Sequence, residues 1–143
     1  MSKQKIAIIG CGAIGKVHAD AWAHEGRAEV APLVDLLPEK AKALVAQGAE
    51  TRVETDYKKM LTDPSVTAVS VCLPNDLHCP VTLDALRAGK HVLCEKPIAL
   101  NLEQALSMQA EAKKQGKILN IGVVNRWHDT VNLIKDMIAK GEL

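Results

Sequence analysis

The sequence predicts an α/β domain built on a doubly wound parallel sheet. Short runs rich in β-branched residues alternate with longer helical stretches along the whole chain, which is typical of consecutive β-α-β units. Several of the strand runs are almost continuously apolar, as expected for strands that are covered on both faces. The length of 143 residues, 48% of them hydrophobic, allows a single domain with one core.

The alternation places each element in order along the chain. We predict strands at residues 5–9, 29–34, 51–54, 68–73, 91–94 and 118–123. We predict helices at residues 14–25, 38–47, 57–61, 77–88 and 102–114. A last helix is predicted at residues 130–140, with Val131, Ile134 and Ile138 on one apolar stripe.

Residues that start and stop helices support these boundaries. Pro38 lies in the first turn of its helix, where a missing N–H costs nothing. Asn101 is a candidate N-cap, and Gln104 is placed to complete a capping box with it. A glycine able to adopt positive φ follows four of the predicted helices, at Gly26, Gly48, Gly89 and Gly116.

The composition excludes several function classes. Eighteen basic residues nearly balance 17 acidic ones, and the chain has two Trp, one Tyr and no Phe. We therefore expect no nucleic-acid partner, because neither a basic surface nor a base-stacking platform is available. We also expect no membrane partner, because the longest stretch free of charged residues, 64–75, is shorter than the roughly 20 apolar residues of a spanning helix.

The cysteines predict a reducing compartment. Cys11, Cys72, Cys79 and Cys94 are scattered, without the paired spacing of a zinc site. We interpret all four as free thiols, most of them buried beside strands, and expect no metal site. The N-terminal apolar run is interrupted by three glycines and ends at Lys16, which argues against a secretory signal. We therefore expect a cytoplasmic protein.

A glycine-rich turn follows the first predicted strand and opens the first predicted helix. Its sequence, Gly10-Cys11-Gly12-Ala13-Ile14-Gly15, is G-x-G-x-x-G, and this context indicates a dinucleotide-binding (Rossmann) fold. Gly10 permits the tight turn, Gly12 lets a pyrophosphate approach the backbone, and Gly15 lets helix and strand pack closely. The first helical turn, with Ala13 and Ile14, presents free N–H groups to the phosphates.

An acidic residue completes this fingerprint. Asp35 ends the second predicted strand about 20 residues after Gly15, which is the offset expected for the carboxylate that binds the adenosine ribose. A 2′-phosphate would meet a like charge there, with Leu36 and Leu37 beside it and no Arg to offset it. The sequence therefore favours NAD as cofactor, with NADP the weaker candidate. A solvated aspartate at a strand end is the alternative for Asp35 considered alone.

Two further motifs resemble a known family. They are Leu73-Pro74-Asn75-Asp76-Leu77-His78 and Ala88-Gly89-Lys90-His91-Val92-Leu93-Cys94-Glu95-Lys96-Pro97. Together with the glycine turn and Asn125-Arg126-Trp127, they resemble the N-terminal domain of the glucose-fructose oxidoreductase, inositol dehydrogenase and rhizopine-catabolism (Gfo/Idh/MocA) family. The resemblance covers essentially the whole chain. The E-K-P element, Glu95-Lys96-Pro97, indicates this family more specifically than the glycine turn does.

The resemblance implies a role for each motif. It assigns Lys96 to catalysis, near the nicotinamide and the substrate hydroxyl, where a positive charge helps the hydroxyl proton leave. It places Glu95 near the nicotinamide ribose and Pro97 after a cis peptide. It implies that the cofactor is lined by Leu73, Pro74, Asn75, His78, Glu95, Lys96 and Pro97, and that Asn125 and Arg126 face the substrate. The reaction implied is hydride transfer between a nicotinamide cofactor and a secondary alcohol of a sugar, polyol or related small molecule.

The resemblance stops short of a complete enzyme. Family members continue into an α+β domain that supplies a catalytic Asp and His, and no residue of this chain matches either. We expect residues 1–125 to form the dinucleotide-binding domain and residues 126–143 a terminal helix leading toward the missing domain. A homo-oligomer is left open for a longer form. Three interpretations remain: a fragment of an oxidoreductase, a dinucleotide-binding or sensing module without chemistry, and a truncated product without function.

Structural alternatives accompany several of these assignments. Lys96 could be a solvated loop lysine, and His78 could simply cap its helix. His18 is expected to pack in the first helix without touching a ligand. Surface or structural roles are expected for His24, His91 and His128, and packing roles for Trp22 and Trp127.

Overall fold

The computed structural model describes residues 3–45 and 51–143, and its elements alternate between strand and helix. The strands are β1 (Gln4–Ile9), β2 (Ala28–Val34), β3 (Val53–Glu54), β4 (Val66–Val71), β5 (His91–Cys94) and β6 (Leu119–Ile121). The helices are α1 (Ala13–His24), α2 (Pro38–Ala43), α3 (Tyr57–Leu61), α4 (Asn75–Arg87), α5 (Leu102–Gln115) and α6 (Asp129–Lys140). A short 3₁₀ helix (Val124–Trp127) precedes α6.

The sheet confirms the predicted fold class. All strand pairs are parallel, and the strand order is β3-β2-β1-β4-β5-β6. This order reverses between β1 and β4, and doubly wound folds bind their ligands at such a point, outside the carboxyl ends of the strands. The end of β1 lies at that position, because Ile9 pairs with Val34 of β2 on one side and with Val71 of β4 on the other.

Apolar side chains cover both faces of the sheet. In β1, Ile8 belongs to a buried cluster with Ala19 of α1 and Ala41 of α2. Its neighbours Ala7 and Ile9 belong to a second cluster on the other face, which takes residues from α3, α4 and α5. Burial on both faces explains why the strand runs are continuously apolar instead of alternating.

The ends of several strands differ from the prediction. β4 begins two residues earlier than expected, because its pairing with β1 starts at Lys5 and Val66. It also ends at Val71, so Leu73 lies in the turn that follows. β6 is shorter than the predicted 118–123, because the N–H of Val123 donates to the carbonyl oxygen of Ile121 over 2.7 Å and turns the chain out of the sheet.

Some of the residues predicted to start or end helices are confirmed and others are not. Pro38 lies in the first turn of α2, and Gly89 and Gly116 have positive φ. Gly26 does not have positive φ, so its predicted capping role is wrong: α1 ends in the extended residue Glu25. α2 ends at Ala43, short of the predicted Gln47, and Gly48, which was predicted to follow this helix, lies outside the described residues.

Only one of the two hydrogen bonds of the predicted capping box at α5 forms. The side chain of Asn101 accepts a hydrogen bond from the N–H of Gln104 over 2.9 Å, as predicted. The side chain of Gln104, however, accepts from the N–H of Leu100 over 3.1 Å. Its amide thus reaches one residue beyond the cap, which shows that residue spacing does not determine the rotamer.

The end of the chain is the least buried part of the structure. Of the predicted α6 stripe, Val131 is half-buried, whereas Ile134 and Ile138 are exposed. Trp127 is 78% exposed, so the packing role expected for it is wrong. The domain boundary at residue 125 stays a prediction. None of the described helices has the length and apolar character needed to cross a membrane.

Candidate functional site

The glycine turn joins β1 to α1 at the carboxyl edge of the sheet. Gly10 has φ +94°, and a side chain there would collide with the backbone carbonyl of Cys72. A Cβ at Gly15 would collide with the carbonyl oxygen of Gly10 and lie 3.5 Å from Ile8 Cγ2. These two glycines are therefore required for the turn itself.

Gly12 has a different environment. A Cβ built at Gly12 would meet no atom of the described structure within 4 Å, so folding does not explain this glycine. Gly12 is the N-cap of α1 and offers no side chain to the first-turn N–H groups. Ala13 and Ile14, the first residues of α1, are exposed. The helix start is thus open on the side from which an anion would approach.

Asp35 is hydrogen-bonded to this turn. Its Oδ2 accepts from the N–H of Cys11 over 2.8 Å, and its Oδ1 accepts from the N–H of Leu37 over 2.9 Å. The carboxylate therefore connects the glycine turn to the loop after β2. Each carboxylate oxygen has a second lone pair, so both can still accept a ligand hydroxyl.

A cleft of about 550 Å³ opens beside Asp35 and the glycine turn. Five of the predicted cofactor-binding residues line it: Gly10, Gly12, Asp35, Leu73 and Pro74. Sequence reasoning missed Tyr57 and Lys40, which line it too. The hydroxyl of Tyr57 donates to Asp84 Oδ2 over 2.9 Å, and burial together with this bond raises the pKa of Tyr57 to about 12. Tyr57 therefore stays neutral at the mouth of the cleft.

Glu95 lies directly after β5 at the same edge and is 9% exposed. Its Oε2 accepts from the N–H of Lys96 over 3.1 Å. Its Oε1 lies 3.0 Å from Nε2 of His18 on α1. The contact joins residues 77 positions apart in the chain, so local sequence patterns could not have shown it. His18 was expected to pack in α1 without touching a ligand, and the structure adds a polar contact to Glu95 that this expectation did not include.

The other predicted cofactor-lining and substrate-facing residues also lie at the carboxyl edge of the sheet. They occupy the loops or helix starts that follow β4, β5 and β6. The peptide between Lys96 and Pro97 is cis, as the resemblance implied. The exposed members of this group are Asn75, Lys96, Pro97, Asn125 and Arg126. The fold therefore brings these residues to one edge of the sheet, but none of them lines the 550 Å³ cleft.

His78 is buried, with 1% of its surface exposed. Its Nδ1 lies 2.7 Å from the carbonyl oxygen of Pro97, and its Nε2 lies 2.8 Å from the carbonyl oxygen of Leu73. The imidazole thus bridges the turn after β4 and the loop that carries Lys96. The alternative of a simple helix cap is wrong, because Pro74 is the N-cap of α4.

All four cysteines are free thiols, and all but Cys72 are buried. Burial, with a smaller contribution from Asp35, raises the pKa of Cys11 to about 11. Burial and the nearby Glu95 raise that of Cys72 to about 12. Metal ions and electrophiles need the thiolate form, and these thiols stay protonated near neutral pH. Among the described residues, no group of three or more His, Cys, Asp or Glu could hold a metal ion.

The raised pKa values of the cysteine thiols predict slow thiol modification in the folded protein. At pH 8, a rise in pKa from 9.0 to about 11 lowers the thiolate fraction of Cys11 roughly 100-fold. We expect labelling by a thiol-exchange reagent at pH 8 to be at least that much slower than in urea, where burial is lost. Rapid labelling of Cys11 without unfolding, detected by mass spectrometry, would contradict its buried assignment.

A second hollow, of about 590 Å³, lies at the opposite, amino edge of the sheet. Lys90 contributes to its wall, but its ammonium donates to the carbonyl oxygens of Asp63 and Val66 over 2.6 and 2.9 Å. Lys90 thereby ties the start of β4 to the start of β5. Doubly wound folds bind ligands at the carboxyl edge, so the cleft beside the glycine turn is the candidate site.

Comparisons with known proteins identify the family of this chain. The Gfo/Idh/MocA family model, described as an oxidoreductase family with an NAD-binding Rossmann fold, matches residues 4–123. The D-glucoside 3-dehydrogenase of Escherichia coli is 36% identical over 143 residues, which cover 99% of this chain and 41% of that protein. The chain thus spans about two fifths of the length of this curated relative.

Two solved structures are similar throughout. The scyllo-inositol dehydrogenase of Lactobacillus casei, with bound NAD(H) and scyllo-inositol, superimposes with a TM-score of 0.88 at 26% identity, covering 99% of this chain and 42% of that one. A 3-ketoreductase from Actinomadura kijaniata, in complex with TDP-benzene and NADP, has a TM-score of 0.89 at 30% identity, covering 98% and 45%. Similar folds therefore accept either cofactor.

Proposed function

This chain belongs to the Gfo/Idh/MocA oxidoreductase family and carries its NAD-binding Rossmann fold, and we propose from that premise that its cleft binds NAD in preference to NADP. We further propose that the whole protein transfers hydride between this cofactor and a secondary alcohol of a sugar or polyol. One observation carries the proposal. Asp35 and the open backbone of Gly12 lie side by side at the point where the strand order reverses.

The residues present fit a dinucleotide. The space above Gly12 admits a pyrophosphate to the backbone and to the first-turn N–H groups of α1. Asp35 is held by the N–H groups of Cys11 and Leu37, and its free lone pairs would accept the adenosine ribose hydroxyls. The apolar lining from Leu36, Tyr57 and Val81 suits the flat face of an adenine.

Lys96 is the residue proposed to act on the substrate. It follows β5 at the carboxyl edge and is exposed, beside the buried Glu95. When bound, the cofactor supplies the carbon that accepts or donates hydride. The ammonium of Lys96 would stabilise the substrate oxygen as its proton leaves and the carbonyl forms. Asn125 and Arg126, exposed after β6, are proposed to face the substrate.

A module that binds the dinucleotide without chemistry is the second candidate. The observation that favours it is that the groups proposed to bind the pyrophosphate and the adenosine ribose, namely Gly12, the first turn of α1 and Asp35, all belong to the described residues. Polyol-dependent reduction of NAD separates the candidates. It should be assayed with this chain and with any longer product of the same reading frame. Tight binding without reduction in either form would favour the module.

Nucleotide titration tests the shared part of the proposal. We expect NADH to bind with a measurable heat and with a change in the fluorescence of its nicotinamide. Absence of both signals at millimolar NADH would overturn the proposed cofactor site. Binding of NADPH should be weaker than that of NADH in the same buffer.

Asp35 should set this cofactor preference. We expect Asp35→Ser and Asp35→Asn to lower the NADH-over-NADPH affinity ratio about tenfold, because both remove the charge that repels a 2′-phosphate and binds the ribose. Lys40, which lines the same cleft, should then favour the phosphate. Asp35→Asn keeps an acceptor for the N–H of Cys11 and so controls for damage to the turn. An unchanged ratio in both variants would remove Asp35 from the ribose site.

We also propose a cytoplasmic location. Four cysteines that remain free thiols are expected in a reducing compartment.

A further inference from the structure

Three residues surround the carboxylate of Glu95: its chain neighbour Lys96 and two residues distant in the sequence, His18 and Gly122. His18 Nε2, on α1, lies 3.0 Å from Oε1. The N–H of Lys96 donates to Oε2 over 3.1 Å. On the β6 side, the backbone of Gly122 is so close that a Cβ built there would lie 2.6 Å from Oε1. These neighbours leave the Glu95 carboxylate little room to move.

The His18 ring has a single polar contact within the described residues, the one to Glu95. An ionised carboxylate can only accept hydrogen bonds, so Nε2 is the donor to Glu95. The other ring nitrogen, Nδ1, is buried and has no partner among the described residues. The side chains of His18 and Glu95 are only 11% and 12% exposed. Glu95 is thus the only polar contact of His18 in the described part of the chain.

This pair lies on the opposite side of the crevice from Asp35. Asp35 directly follows β2, which lies on one side of β1, whereas Glu95 directly follows β5, which lies on the other side, beyond β4. A dinucleotide lies across the crevice between these two halves of the sheet. If Asp35 binds the adenosine ribose, then Glu95 faces the nicotinamide half of the cofactor.

We infer that His18 is a positioning residue for the nicotinamide half of the cofactor, acting through the carboxylate of Glu95. The inference rests on the proposed function. His18 holds the rotamer of Glu95 by one hydrogen bond of 3.0 Å, and Gly122 accommodates this rotamer because it has no Cβ to collide with Oε1. Because Glu95 also accepts from the N–H of Lys96, the same contact steadies the start of the loop that carries the proposed catalytic lysine.

The test compares NADH with ADP, which contains the adenosine half and both phosphates but lacks the nicotinamide ribose. His18→Leu removes the donor. We expect it to weaken NADH binding about tenfold, equivalent to about 1.4 kcal/mol, while ADP binding changes less than about twofold. The fluorescence change of bound NADH, which reports the nicotinamide environment, should decrease as well. Gly122→Ala, which pushes on the same carboxylate from β6, should produce the same pattern.

Two variants control the experiment. In His18→Gln, the side-chain amide can replace Nε2 as donor, so NADH affinity should recover most of the loss. His24→Leu changes the same helix, where His24 is exposed and its one side-chain hydrogen bond within the described residues joins Nδ1 to the Asp20 carbonyl oxygen. We expect His24→Leu to bind both nucleotides as the unmodified chain does.

The outcomes separate the two proposals. If the unmodified chain does not bind NADH, the proposed function fails, and this inference fails with it. If the unmodified chain binds NADH and His18→Leu binds it equally well, only the inference is wrong. Equal losses for NADH and ADP would show that His18 merely supports α1 and the glycine turn, and would also overturn the positioning role.

Discussion

Replacing Gly12 by alanine is expected to weaken NADH binding about 100-fold, equivalent to about 2.7 kcal/mol, while the protein remains folded. The added methyl group enters space that is empty of described atoms within 4 Å. It therefore collides with no atom of residues 3–45 and 51–143, but it occupies the path by which a pyrophosphate would reach the backbone. Isothermal titration with NADH measures the loss. Urea denaturation measures the free energy of unfolding, which should change by less than about 1 kcal/mol, the usual range for an N-cap exchange.

Gly26→Ala is the matched control for this prediction. A Cβ at Gly26 also meets no described atom within 4 Å, and Gly26 lies after α1, away from the carboxyl edge. It should leave NADH affinity unchanged. If Gly12→Ala bound NADH as well as Gly26→Ala does, the phosphates would not approach the backbone at Gly12, and the assignment of the cleft to a dinucleotide would be wrong.

Gly10→Ala should have the largest effect on stability, a loss of at least about 3 kcal/mol in the free energy of unfolding. Two costs combine there. Alanine at φ +94° adopts a backbone conformation that favours glycine, and its Cβ would collide with the Cys72 carbonyl in the turn after β4. The added Cβ is fixed directly to the backbone of residue 10, and the Cys72 carbonyl is itself backbone, so relief requires the ends of β1 and β4 to move apart. Urea denaturation followed by circular dichroism gives the value.

Gly116→Ala separates these two costs. Gly116 has φ +62° at the C-terminal end of α5, and a Cβ there meets no described atom within 4 Å. Its expected loss is that of the backbone conformation alone, about 1 kcal/mol. Equal losses at Gly10 and Gly116 would mean that the turn absorbs the collision with Cys72, and that close packing is not why Gly10 is needed.

Local patterns were sufficient to predict most of the fold. The alternation of apolar strand runs and helical stretches placed every strand within a few residues, because strands buried on two faces need continuous apolar side chains. The meeting of the glycine turn with Asp35 was also predictable, since both lie within one β-α-β unit. Errors arose at element ends, for example at Val66 in β4 and at Gly26, where tertiary pairing and backbone geometry decide the boundary.

The sequence by itself determined the doubly wound class, the glycine turn and the acidic residue beside it, because each depends on residues close together in the chain. Only the tertiary structure decided which distant groups meet. It joined His18 to Glu95 and brought Gly122 against the same carboxylate. It also placed the two ring nitrogens of His78 against backbone carbonyls of the turn after β4 and of the loop that carries Lys96. Such contacts depend on how helices lie on the sheet and on how strand ends converge at one edge. Those distances are set by packing across the whole core, and no short stretch of sequence specifies them.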